Sequence, residues 1–260
     1  MKPTFLNQTR PLITGIINRD DEPRAISFEM KNAIYDGADA LGVQLCKLKF
    51  EYRTEEQLRG IFAAAGQKPI YITNYRMAKN ENLSYEECIE GLITGLKCGA
   101  TLADIMGDAF DKSEMELTKN QTAIDKQMKV IDEIHNMGKE VLMSSHILKF
   151  TPAEKVLEVA LEHQRRGADI SKIVTFANSE EEEMENLRIT SLLKKELDIP
   201  FLFLSGGPYS KIHRMIGPML GCVTYLAVQQ HGVGAMHTQP TVRAAKAVRD
   251  NFDYMPDICI

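Results

Sequence analysis

The sequence predicts a (β/α)8 TIM barrel, an α/β fold, from three observations. Eight apolar runs of strand length alternate with longer amphipathic stretches. The chain has 260 residues, close to the roughly 250 typical of such barrels. The first run continues as "GIINRDDEPRA" (15–25), which has neither GxGxxG nor P-loop spacing and so argues against an open sheet built around a dinucleotide or phosphate loop. No Pro/Gly/Ser-rich linker or composition break divides the chain, so residues 1–260 are read as a single barrel domain.

In chain order the strand runs are "PLITGII" (11–17), "ALGVQLCKL" (40–48), "PIYIT" (69–73), "TLADIM" (101–106), "EVLMSSH" (140–146), "DISKIVTF" (169–176), "PFLFL" (200–204) and "CVTYLAV" (222–228). Helix entries between them carry capping signals. Thr54 with Gln57, Ser84 with Glu87, Thr151 with Glu154 and Ser179 with Glu182 fit the box in which a hydroxyl and a side chain three residues later satisfy free backbone donors. Pro152 suits a first helical position. At four exits a glycine precedes the next strand, as in "MGKEVL" (137–142) and "RGADIS" (166–171), where a left-handed residue ends the helix. The acidic run "SEEEEME" (179–185) reads as a helix first turn, where carboxylates are favoured by the dipole.

Hydrophobic residues make up 44% and charged residues 26%, with a formal net charge of −5, so nothing draws the chain to nucleic acid or to an anionic membrane surface. The expected partner is a small molecule. The amino terminus lacks a signal-peptide pattern and no run reaches transmembrane length, so a cytoplasmic protein is expected. The five cysteines form no CxxC pair, and no His or acidic pair has HExxH spacing, so neither a disulfide framework nor a metal site is indicated.

In a barrel, functional groups come from the carboxyl ends of the strands and the loops after them. Lys172 lies within "GADISKIVTFANS" (167–179), where alternation places it on one side with Ile170 and Val174. An amine kept from water there has its charged form disfavoured, and a neutral amine is the nucleophile that forms Schiff bases with ketones. The alternative is a strand-end lysine that snorkels to water or pairs with an acid. His146 ends the preceding strand, about 5 Å away in the sheet direction, and imidazole is the usual proton carrier at neutral pH. Arg214, in "LSGGPYSKIHRMIGPMLG" (204–221), could hold an anion through its planar fork. Arg76, after the third strand, is a second anion contact. The polar loop "QQHGVGAMHTQPT" (229–241) brings His231, His237 and Gln239 and has the make-up of a closing loop. His135 and His163 fall in helical stretches and read as surface or packing residues.

With these residues in view, the chain resembles the type I 3-dehydroquinate dehydratases, Schiff-base enzymes of the shikimate pathway and aromatic amino acid biosynthesis. The likeness lies in "SSHILKFTP" (144–152) and "GADISKI" (167–173), and more weakly in "GADAL", "KPIYIT", "RMIGPMLGCVTY" and "TQPT". It implies a carbon–oxygen lyase without a cofactor, converting 3-dehydroquinate to 3-dehydroshikimate. Lys172 would condense with the ring ketone, and His146 would move the adjacent proton and help expel water. Arg214 would hold the carboxylate of this cyclic ketone and Gln239 would be the lid glutamine.

The sequence departs from the family pattern at several positions. Gly42, Gln44 and Cys46 stand where the family has ExRxD, leaving Gln44 as the polar substrate-facing residue of strand two. Arg76 matches the family's arginine once one inserted residue is allowed, "KNENL" (79–83) replaces the EGG that follows, and Ala235 holds the lid serine position. These changes leave two alternatives open: a related Schiff-base dehydratase or aldolase for another hydroxylated ketone, and a silent metabolite-binding barrel. Retention of both Lys172 and His146 argues against the second. The outer helix faces could support a homodimer.

Overall fold

Runs of buried, largely apolar residues become the strands, because a parallel sheet covered on both faces has no polar side to alternate with. The computed structural model describes residues 2–17, 19, 22–232 and 237–253; Ala235 and Cys259 lie outside them. Its strands are β1 (Leu12–Ile17), β2 (Ala40–Gln44), β3 (Ile70–Thr73), β4 (Leu102–Met106), β5 (Glu140–His146), β6 (Ile170–Phe176), β7 (Phe201–Gly206) and β8 (Thr224–Ala227). Helices α1 (Pro23–Tyr35), α2 (Glu55–Phe62), α3 (Tyr85–Lys97), α4 (Gln121–Asn136), α5 (Ala153–Arg165), α6 (Glu180–Glu196), α7 (Lys211–Ile216) and α8 (Val242–Asp253) alternate with them. This is the predicted (β/α)8 architecture.

All strand pairs are parallel and the ladder runs in sequence order from β7 back to β1 and on to β8. Just ahead of β8, the backbone N–H of Val223 donates to Phe201 O at 2.8 Å across the remaining seam. The two-residue period of each strand then sorts the side chains. Ile13, Leu41, Ile72 and Ile105 pack outward against helical residues such as Ile26, Leu58 and Leu92. Leu12, Ile16, Ala40, Leu102 and Ile170 belong to the second apolar cluster, toward the barrel interior.

Two local expectations are corrected. Strand two ends at Gln44 rather than Leu48, because residues Leu45–Lys47 turn into a 3-10 helix. Both Nε and Nη2 of Arg53 bind the Leu48 carbonyl, at 3.1 and 2.8 Å, and hold that turn. Thr151 is not a cap: its hydroxyl donates to Lys149 O at 3.2 Å, and Pro152 takes the cap position ahead of α5 with no side chain to offer. Ser84 and Glu87 do form the full reciprocal box. Gly138 and Gly167 have φ of 65° and 92°, and so deliver the chain into β5 and β6 at little steric cost.

His163 of α5 braces those two strands from outside, bonded to the hydroxyls of Ser145 (3.1 Å) and Ser171 (3.0 Å). Burial, reinforced by Arg166, pushes its imidazole down to about 3. Burial, with Arg214, does the same to His213, again to about 3. Between pH 6.5 and 3 the unfolded chain therefore binds protons that the folded chain refuses, so stability falls as pH is lowered through that window. Each histidine is expected to remove about 2 kcal/mol between pH 7 and pH 5. Urea unfolding at the two pH values checks this: His163→Gln should shrink the pH 7 to pH 5 difference by that amount, and an unchanged difference would refute it.

Among the described residues, no helix is long and apolar enough to cross a membrane.

Candidate active site

β6 carries Lys172 toward the interior, and β5 places Ser144 beside it and His146 two residues nearer the carboxyl end, as the pairs Ser144↔Lys172 and His146↔Val174 fix. β4 adds Asp104. The alternation of β3, extended past its end, puts Tyr71, Thr73 and Tyr75 on one face.

Lys172 is 4% exposed. Its Nζ lies 2.5 Å from Tyr75 OH, 3.0 Å from Asp104 Oδ2 and 3.1 Å from Tyr71 OH. The residue is thus both buried and paired with an acid, two properties that composition alone could not combine. Asp104 also accepts from both phenols and, at 2.5 Å, from Ser144 Oγ. Burial pushes the Asp104 carboxyl up, but the charges of Lys172 and His146 and the bonds from Ser144 and Tyr71 outweigh it and hold the group below the usual carboxylate range. Burial, with the Asp104 charge, pushes both phenols well above theirs. They stay protonated and act as donors.

His146 takes a different partner. Its Nδ1 lies 2.7 Å from Glu116 Oε2, and its backbone N–H donates to the same oxygen at 2.8 Å. A carboxylate can only accept, so Nδ1 carries the proton and Nε2 is the basic nitrogen. Glu116 sits in the β4–α4 loop with φ of 46°, and its carbonyl accepts from Ser145 Oγ at 2.9 Å. The Tyr75 ring meets the His146 ring edge-on, centroids 5.0 Å apart, so this phenol touches both predicted chemical groups.

Arg214 is buried on α7 with Nε donating to Ser205 O at 2.6 Å, and its two terminal nitrogens have no hydrogen-bond partner among the described residues. Burial, against the pull of Glu183 and Cys222, brings its guanidinium down to about 10. Gln239 is buried, its Oε1 unpartnered among the described residues and its carbonyl 2.9 Å from His231 Nε2. His237 stacks at a tilt on His231 at 5.4 Å. Arg76 is engaged within the protein: Nη2 binds Asp108 at 2.7 Å and Nη1 meets the Tyr85 hydroxyl. Gln44 ends β2 opposite Thr73, whose buried hydroxyl has no partner among the described residues. A Cβ at Gly42 would lie 2.5 Å from Ile16 Cδ1, so apolar side chains fill the space of a larger residue there.

Asp104, Ser144, Tyr71, Tyr75 and Glu116 were missed from sequence. A lone acid in the apolar run "TLADIM" is the same anomaly as a lone lysine in "DISKIVTF" and could have signalled the pair. Glu116 had no such signal, since its reach to His146 depends on the fold of a loop.

Comparison with known proteins shows the family and the fold. Over 198 residues the chain is 29% identical to the 3-dehydroquinate dehydratase of Methanosarcina barkeri, covering 74% of this chain and 76% of that one. It is 31% identical to the Geobacillus thermodenitrificans enzyme over 94 residues, 36% of this chain and only 37% of the length of that relative. Its fold matches the crystal structure of 3-dehydroquinate dehydratase from Geobacillus kaustophilus with a TM-score of 0.77 at 19% identity, covering 95% of this chain and 93% of the other. A Clostridium difficile type I 3-dehydroquinate dehydratase with covalently modified comenic acid matches with a TM-score of 0.77 at 16% identity, covering 94% and 93%. The model of the family described as type I 3-dehydroquinase matches residues 29–253, and on that match the chain belongs to the type I 3-dehydroquinase family.

Proposed function

We propose that this protein dehydrates 3-dehydroquinate to 3-dehydroshikimate through a Schiff base on Lys172. The observation that carries the reading is a buried lysine on β6 in contact, through Tyr75, with an imidazole at the carboxyl end of the preceding strand β5. The Lys172 amine condenses with the ring ketone and releases water. His146 Nε2 takes a proton from the carbon beside the iminium, whose nitrogen receives the electron pair. The resulting enamine expels the neighbouring hydroxyl, which leaves as water with the proton returned by His146, and hydrolysis frees the lysine. Arg214, whose terminal nitrogens have no partner among the described residues, suits the carboxylate, and Gln239 offers a buried carbonyl oxygen to a hydroxyl. Arg76 is already bound to Asp108 and adds little.

A second reading is favoured by the wall at strand two. The space beside Gly42 is taken by Ile16, Tyr71 and Thr14, and Gln44 is neutral, so a hydroxylated cyclic keto acid other than dehydroquinate fits the same chemistry. One experiment tests both: incubation with dehydroquinate and borohydride, followed by mass spectrometry of the peptide bearing Lys172. A stable adduct from dehydroquinate supports the first reading, an adduct only from another keto acid supports the second, and no adduct with any of them refutes both.

A further inference from the structure

On the lysine route proposed above, Nζ must lose a proton before it can attack, and the substrate oxygen must gain protons before it can leave. We infer that the Tyr75 hydroxyl is the catalytic relay for both transfers, passing protons between Lys172, Asp104 and the departing oxygen.

The geometry singles out this phenol. Tyr75 OH lies 2.5 Å from Lys172 Nζ and donates to Asp104 Oδ2 at 2.5 Å, so a continuous chain of two short hydrogen bonds runs from amine to carboxylate. Asp104 also touches Nζ directly, at 3.0 Å, but it is 1% exposed and covered by Ser144 and Tyr71. Tyr71 is 3% exposed and packs on Phe5, deeper along β3. Tyr75 follows the last residue of β3 by two positions, is 8% exposed, and is held edge-on against His146. Of the three partners of Nζ it is the one set toward the mouth, where a bound ketone would stand.

The steps balance. The ammonium gives a proton to the Tyr75 oxygen as Tyr75 gives its own to Asp104. The amine lone pair then forms the C–N bond, the carbonyl π pair moves to oxygen, and that oxygen takes a proton from nitrogen, leaving a neutral carbinolamine. Tyr75 next protonates the carbinolamine hydroxyl and is reprotonated by Asp104. The C–O bond breaks, its electron pair leaves with water, and the nitrogen lone pair completes C=N. Ammonium plus ketone have become iminium plus water, with one positive charge on each side. Asp104 is again a carboxylate, now facing the iminium cation.

The test isolates this half-reaction with 3-oxocyclohexanecarboxylate, a keto acid that has no hydroxyl to eliminate, trapped by borohydride and timed by mass spectrometry. Tyr75→Phe keeps the ring and its contact with His146 and removes only the hydroxyl. Its maximal trapping rate should fall by about 10²-fold, the lower end of what a positioned acid or base supplies, with the half-saturating concentration unchanged. Tyr71→Phe should lose clearly less. An unchanged maximal rate in Tyr75→Phe, or an equal loss in Tyr71→Phe, overturns the relay while leaving the lysine route standing. Wild-type protein that traps neither this probe nor dehydroquinate overturns both. Should Tyr75→Phe fail to fold, fluorotyrosine at position 75 preserves the shape and acidifies the phenol, and a trapping rate indifferent to it counts against the relay.

Discussion

Lys172→Met is expected to abolish adduct formation and to reduce turnover by on the order of 10⁶-fold, the scale on which deleting a nucleophile acts. The Nζ position is defined by β6 and by three partners that converge on it. The same substitution leaves Asp104 as a buried carboxylate without its cation. Removing one member of a buried pair typically costs about 3–5 kcal/mol, so part of any lost activity would reflect a weaker fold. Combining Lys172→Met with Asp104→Asn removes the stranded charge. The double variant should unfold at a higher temperature than the single one and still form no adduct. If Lys172→Met turned over substrate at the wild-type rate, the covalent route would be wrong whatever its stability.

His146→Ala should behave differently. Its side chain is 23% exposed and bound chiefly to Glu116, so the fold should tolerate the loss. The expected fall in turnover is about 10²–10⁴-fold, the contribution of one general acid or base. If, as proposed, iminium formation rests on the Lys172, Tyr75 and Asp104 cluster and not on the imidazole, the covalent species should still form and, with its exit blocked, accumulate. Borohydride quenching during steady-state turnover would then label a larger fraction of His146→Ala than of wild-type protein. A variant with low turnover and no more label than wild type would place His146 ahead of iminium formation. One with undiminished turnover would remove it from the chemistry.

The strands on either side of the site illustrate what could be read from one dimension. "EVLMSSH" and "DISKIVTF" became β5 and β6, within one residue of the expected bounds, because local patterns of apolar length and helix exit leave little choice of state. Strand two reads four residues too long in the sequence, since a 3-10 turn held by Arg53 looks locally like more strand. Lys172 and His146 stood out because each is a titratable group in an otherwise apolar run. Arg76 stood out equally, but the fold gives its terminal nitrogens to Asp108 and Tyr85.

The sequence by itself therefore determined the barrel and the strands that bear the amine and the imidazole, since alternation and breaker residues act over neighbouring positions. Only the tertiary structure decided what those groups touch. Lys172 meets Tyr71, Tyr75 and Asp104, and His146 meets Glu116, across sequence separations of 30 to 101 residues. A hydrogen bond is effective over about 3 Å, and no local pattern records which distant side chain the closing barrel brings within that reach.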